Sequence, residues 1–199
     1  LEPLPETIYT GKENPTMNCA ECTTKECYQG KNCVSYRDEI KQKFTGTDLD
    51  ILKAASLIES RYYKKKNRVE EIILFAKEMG YKKLGLAFCV GLSEEARKIQ
   101  EILKDFDVVS VCCKVCGISK EEYNLEKIEG ERYEASCNPM GQATVLNKEN
   151  TELNIVVGLC VGHDVLFYKH SNAPVTTLAV KDRILAHNPL GAIYSAYYF

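Results

Sequence analysis

Nowhere in the 199-residue chain does an uninterrupted apolar stretch approach the ~20 residues that a membrane-spanning helix needs, so a soluble chain with no membrane partner is expected. An excess of one charge sign is missing as well: 26 basic residues stand against 28 acidic ones, for a formal net charge of -2. With no surplus charge to drive binding to phosphate backbones or anionic lipid, nucleic acid is not expected as a partner. The densest basic run, Lys64-Lys65-Lys66-Asn67-Arg68, lies between two predicted helices and reads as a solvated connector. The first residues, Leu1-Glu2-Pro3-Leu4-Pro5-Glu6, lack the basic and then apolar pattern of a secretory signal, which makes the cytoplasm the expected compartment.

What is present is the composition of an ordinary folded protein, 45% apolar and 27% charged, with the length of one α/β domain plus a small appendage. Three of the six prolines precede residue 16, and Met17 stands directly before the first cysteines, so residues 1–16 are expected to form a tail or linker outside the fold. Ten cysteines are the unusual feature. In a cytoplasmic chain large enough to have its own core, thiols kept reduced for metal binding or for chemistry are the better reading than disulfides.

The cysteines fall into two territories. Cys19, Cys22, Cys27 and Cys33 crowd into residues 17–36, a polar segment poor in large aliphatic residues, whose order must come from something other than a hydrophobic core. Their spacing, C-x2-C-x4-C-x5-C, lets four sulfurs wrap one tetrahedral ion or an iron–sulfur cluster. It matches neither common ferredoxin pattern, which favours structural zinc there while leaving iron open.

The second territory lies in residues 37–199, expected as the α/β domain. Leu49, Leu52, Ala55, Leu57 and Ile58 recur at helical spacing behind Thr47 and Asp48, and Val69, Ile72, Ile73 and Ala76 form a second helical stripe that Gly80 should stop. Then the period changes. Leu84–Cys89, Asp107–Cys112, Asn154–Cys160 and Pro174–Val180 read as buried strands, separated by helices starting near Ser93, Pro139 and His163. Alternating buried strands and helices predict a mainly parallel sheet flanked by helices.

Phe88-Cys89-Val90-Gly91 and Leu159-Cys160-Val161-Gly162 repeat one pattern: a cysteine at the end of an apolar strand, glycine two residues on, then a helix. In an open parallel sheet, ligands bind beyond the carboxyl ends of the strands. Cys89, Cys112 and Cys160 are expected there, with Cys137, just before Asn138-Pro139, as a fourth member. Following helix N-termini favour the thiolate, which is the metal-binding and nucleophilic form. Cys112 and Cys113 should point to opposite faces, so only one can face a given partner, and Cys113-Lys114-Val115-Cys116 has the spacing of a ligand pair or a redox dithiol. His163, Asp164 and Arg183 are the candidate catalytic residues: an imidazole to ligate metal or move protons, with a carboxylate beside it that equally suits a helix cap, and a cation to hold an anionic substrate.

Taken together, Cys19 to Cys33, Phe88-Cys89-Val90-Gly91-Leu92, Cys137-Asn138-Pro139, Gly158-Leu159-Cys160-Val161-Gly162-His163-Asp164 and Lys181-Asp182-Arg183 resemble a family of cysteine-rich proteins. The family is regarded as metal-binding, is grouped as a domain of unknown function, and is common in anaerobic bacteria and archaea. The resemblance runs from about Met17 to the C-terminus. It implies metal binding and brings no reaction; the anaerobic setting favours an iron–sulfur cluster over zinc at the second site.

Three functions stay open at this point. The first is a metalloprotein with zinc or an iron–sulfur cluster at the N-terminal site and an iron–sulfur cluster, or zinc, at the sheet edge. Such a site suits redox, desulfurising or lyase chemistry, with a small-molecule substrate or an electron-transfer partner. The second is a non-enzymatic zinc carrier, sensor or scaffold, and the third a metal-free dithiol or persulfide protein using Cys113 with Cys116 and Cys89 or Cys160.

Overall fold

A computed structural model describes residues 17–198; the expected tail, residues 1–16, lies outside the described residues. The chain divides into two compact units, one ending at Thr45 and the other beginning at Gly46. In the first, a 3-10 turn at Glu26–Gln29 precedes helix α1, Arg37–Lys43, and no described residue of the unit is buried. The hydrophobic effect therefore contributes little to its order.

The second unit runs α2 (Gly46–Tyr62), α3 (Arg68–Glu78), β1 (Lys83–Phe88), α4 (Ser93–Ile102), β2 (Asp107–Cys112), α5 (Pro139–Lys148), β3 (Leu153–Val157), α6 (His163–His170), β4 (Val175–Ala179) and α7 (Leu190–Ile193). Its four strands are all parallel, in the order β2-β1-β3-β4. Register aligns their carboxyl ends, since Phe88 of β1 pairs with Cys112 on one side and Val157 on the other. The chain winds outward from β1 in both directions, which makes the gap between the ends of β1 and β3 the topological switch point. The fold is thus α/β, as the sequence predicts. Among the described residues, no helix is long and apolar enough to cross a membrane.

Strand alternation splits the core between the two faces of the sheet. Leu84, Leu86, Leu153, Ile155 and Val157 pack with Ile72 and Ala76 of α3 and Ala96 of α4, while Ala87, Val111 and Val156 pack with Ala143 and Leu146 of α5 and Phe167 of α6. Truncating any of the fully buried leucines should cost about 2–5 kcal/mol. One polar pair interrupts the second face. The buried Asn154 accepts from Thr151 Oγ1 at 2.7 Å and donates to Ser171 Oγ at 2.8 Å. Gly85 on the neighbouring strand leaves room for it, because a Cβ there would sit 2.0 Å from Asn154 Oδ1.

Helix ends follow local chemistry. Asn67 caps α3 through the N–H groups of Val69 and Glu70, and Glu70 closes the box on the Asn67 N–H. Gly80, with φ +72°, stops the helix as expected. At α5, Asn138 accepts from the Gly141 N–H at 2.8 Å and Pro139 occupies the first turn.

The third strand differs from its expected span, Asn154–Cys160. It ends at Val157 because Gly158 takes φ +67°, which breaks the extended run and places Cys160 in a turn three residues beyond the sheet. The short helices α1 and α7 carry no apolar stripe long enough to be read from periodicity.

Candidate thiolate site

Three backbone bonds stitch together the loops that leave the carboxyl edge of the sheet. The Cys89 N–H donates to Val157 O at 3.1 Å and the Cys113 N–H to Phe88 O at 2.9 Å, so each cysteine extends its ladder by one position. The Asn138 N–H donates to Cys113 O at 2.7 Å, which brings the segment before α5 to the end of β2. Thiols that lie far apart in sequence meet as a result.

Cys113 is buried, and its sulfur accepts the Val90 N–H at 3.2 Å. It lies 3.9 Å from the sulfur of Cys137, within hydrogen-bonding range for thiols. The two ionise as a pair. Contact with Cys137, then burial, pushes Cys113 up and keeps its proton on it. The Cys137 thiol is pulled down to about 5, first by the hydrogen bond it shares with Cys113 and, against the cost of burial, by the charge of Lys114. Cys137 is accordingly the thiolate of the pair.

Cys160 receives Nη2 of Arg183 at 3.1 Å, and this hydrogen bond is the main reason why the Arg183 guanidinium is held charged above its ordinary range, with Cys89 and Cys137 adding to it. Cys89, buried, acts on Cys113 as well. Cys89, Cys113, Cys137 and Cys160 therefore share one electrostatic neighbourhood. Its cations are Lys114, whose ammonium also binds Ala135 O at 2.6 Å, together with Lys181 and Arg183, and the His163 imidazole lies near Cys137.

Other expected site residues stand differently. Cys112 is half-buried at the end of β2, packs against the same cluster as Cys113, and no hydrogen bond joins it to the four. Cys116 is exposed in a 3-10 turn at φ +72°, and Cys113 has Cys137 rather than Cys116 as its sulfur partner. Asp164 directs its carboxylate at the N–H groups of Gly162 and Val165, at the start of α6. His163 opens the same helix, near Cys137.

Two residues that sequence reasoning passed over matter here. Lys114 was visible only as filler between two cysteines. Gln142 is fully buried in α5, and its Nε2 donates to Val111 O at 2.7 Å and Phe88 O at 3.2 Å, bridging β1 and β2 at the carbonyls just before the two thiol-bearing turns. A glutamine on the apolar face of a predicted helix was the available signal.

All four N-terminal cysteines are exposed. The thiol of Cys22 is lowered from its ordinary range, first by the backbone N–H of Lys25 and then by the Thr24 hydroxyl. Cys27 Sγ lies 3.8 Å from Lys25 O and Cys33 Sγ 3.9 Å from Lys31 O, and the Lys25 ammonium binds the Cys19 carbonyl. Cys22 and Cys33 both act on the Lys31 ammonium, whose main partner is Glu26. Among the described residues, no three His, Cys, Asp or Glu side chains come together tightly enough to hold a single metal ion.

A family model described as "Protein of unknown function (DUF1847)" matches residues 25–178. The chain is also 52% identical over 188 residues to an uncharacterized protein of Methanocaldococcus jannaschii, covering 92% of this chain and 96% of the relative. The chain belongs to the DUF1847 family. The family segment takes in Cys27, Cys33 and all four sheet-edge cysteines, begins after Cys22 and ends before Lys181. No solved structure matches the chain.

Proposed function

We propose that this DUF1847 protein is a thiolate-ligated metalloprotein whose working centre is held by Cys89, Cys113, Cys137 and Cys160. The observation that carries the reading is the placing of four cysteines from four separate segments in the loops beyond the carboxyl edge of a parallel sheet, where α/β folds bind their ligands, with Cys113 and Cys137 in sulfur contact at 3.9 Å. The donor set fits an iron–sulfur cluster better than a lone zinc ion. A cluster spreads its thiolates over the corners of a cage and needs no three of them at one point, and the cations Lys114, Lys181 and Arg183 offset the negative charge of a thiolate-bound cluster. With four thiolates bound, such a group would supply electron transfer; with three, one iron is left open as a Lewis acid. Cys19, Cys22, Cys27 and Cys33 are the donors for a second, structural metal, which would have to draw their exposed sulfurs together. The Cys22 sulfur is already met by backbone N–H, and the unit has no buried residue to order it otherwise.

The test is anaerobic purification with an absorption spectrum and analysis of iron, zinc and acid-labile sulfide, for the natural chain and for a variant carrying Cys89→Ala and Cys160→Ala. A broad band near ~400 nm, with iron and sulfide, lost in the variant, is the expected result for a thiolate-ligated cluster. Colourless protein whose zinc content does not change in the variant would sink the sheet-edge centre.

The 3.9 Å separation of Cys113 and Cys137 and the thiolate character of Cys137 favour a second reading, a metal-free redox dithiol made of these two cysteines. Dioxygen would then take two electrons as the Cys113 and Cys137 sulfurs join, and leave as hydrogen peroxide with the Cys113 proton and one proton from solvent; mass spectrometry of the metal-free protein after exposure to air would locate the bond between these residues.

A further inference from the structure

We propose that the sheet-edge site takes a small, doubly charged oxyanion, such as a sulfur or phosphorus oxyanion, held between Lys181 and Arg183 beside Cys89 and Cys160. The proposal rests on the sheet-edge cysteines being the functional site and is independent of which metal they hold.

Both cations follow β4 and stand beyond the same edge of the sheet as the thiols. Their acidic neighbours are committed elsewhere. Asp182 accepts the N–H groups of Ile184 at 2.9 Å and Leu185 at 2.8 Å, and Asp164 accepts those of Gly162 and Val165. Among the described residues, neither Lys181 nor Arg183 forms a salt bridge, and Arg183 uses one donor, on Cys160. A guanidinium has five N–H donors in a fixed fork suited to oxyanions, so most of its capacity is open.

The twin segments supply the space. A Cβ on Gly91 would meet Lys181 Nζ at 3.3 Å and Cys89 Sγ at 4.0 Å, so the missing side chain is what lets the ammonium and the thiol lie together against this turn. Gly162, the counterpart residue two positions after Cys160, has φ +87° and nothing within 4 Å of its Cβ position. Thiolates repel anions. A ligand there needs donors that carboxylates have not already taken: among the described residues Lys181 meets none, and Arg183, with one donor on Cys160, keeps the rest of its fork for an oxyanion.

The test uses the natural full-length protein, purified anaerobically, and titrates it calorimetrically with sulfate, sulfite and hydrogen phosphate separately, in chloride at constant ionic strength. Saturable binding of at least one of them is expected, weakened tenfold or more by Lys181→Gln and by Arg183→Gln and unchanged by Lys104→Gln, an exposed cation far along the chain. Should a glutamine variant fail to fold by circular dichroism, Lys181→Arg and Arg183→Lys carry the comparison and are expected to retain binding. Absence of saturable binding to the natural protein, or equal weakening in Lys104→Gln, would overturn the proposal. Iron, zinc and sulfide are measured on the same samples: metal without anion binding overturns the anion site alone, and anion binding without metal overturns the metal centre alone.

Discussion

Among single residues, Gln142 shows most clearly how a buried polar group is tied to the thiol site. Its amide nitrogen satisfies two carbonyls at the ends of β1 and β2, and its Oε1 has no partner among the described residues. Gln142→Met keeps the volume and removes one donor from each carbonyl, of which Phe88 O keeps the Cys113 N–H. A loss of about 1 kcal/mol is expected, read by urea unfolding, together with reduced metal content if the sheet-edge thiols hold a metal, because those carbonyls belong to Phe88 and Val111. Glu152 gives a pH signature. Its carboxylate accepts the Lys83 N–H at 2.8 Å and the Lys82 N–H at 2.6 Å, and these bonds hold it below the usual carboxylate range, that of Lys83 first. The folded value lies below the unfolded one, so the contribution is complete above the unfolded pKa of ~4.3 and is lost as pH falls through the folded value. Glu152→Gln should cost about 1 kcal/mol at neutral pH, after discounting for solvent screening, and nothing once acid has protonated the natural residue; thermal melts at both pH values check it. That cysteines stand at or just past the ends of β1 and β3 was legible at this scale from the repeated cysteine-x-glycine pattern. That Cys113 rather than Cys112 joins them depends on the strand ending at Cys112, and the left-handed backbone of Cys116 leaves no mark in its side chain or its neighbours.

For whole elements, legibility follows the strength of periodicity. β2 has its predicted span, β1 lies within one residue of its own, and α3 covers its predicted stripe and stops before Gly80, since each carries an apolar pattern closed by a cap or a turn. β3 is shorter than predicted because Leu159 is apolar and buried yet lies past Gly158, so burial alone mimics a strand. Gly158→Ala tests that account. The new Cβ would stand 2.1 Å from Leu92 Cδ1 at a left-handed position, and a cost of about 2–4 kcal/mol is expected from strain and overpacking combined. In a Leu92→Ala background the same change should cost less, and a double-mutant cycle by urea unfolding isolates the difference. By contrast, Asn67→Ala removes only a cap and should cost about 1 kcal/mol, with metal content unchanged.

On the scale of the whole molecule, the two units differ in how much buried surface orders them. The unit from Gly46 onward has a core on each face of its sheet, whereas the unit ending at Thr45 has no buried residue among those described. If Cys19, Cys22, Cys27 and Cys33 hold a metal, most of the folding free energy of the first unit is metal-binding free energy, on the order of 10 kcal/mol for structural zinc. Removing the metal from the full chain with a strong chelator should then expose residues 17–45 to protease while the sheet domain resists. Cleavage sites read by mass spectrometry before and after chelation, and after metal is restored, give the comparison. Cutting in residues 17–45 at the same rate in all three samples would show that the N-terminal thiols order nothing. Cutting that spreads into β1 and β3 on chelation would mean that the core, for all its buried leucine and valine, depends on the sheet-edge centre for its stability.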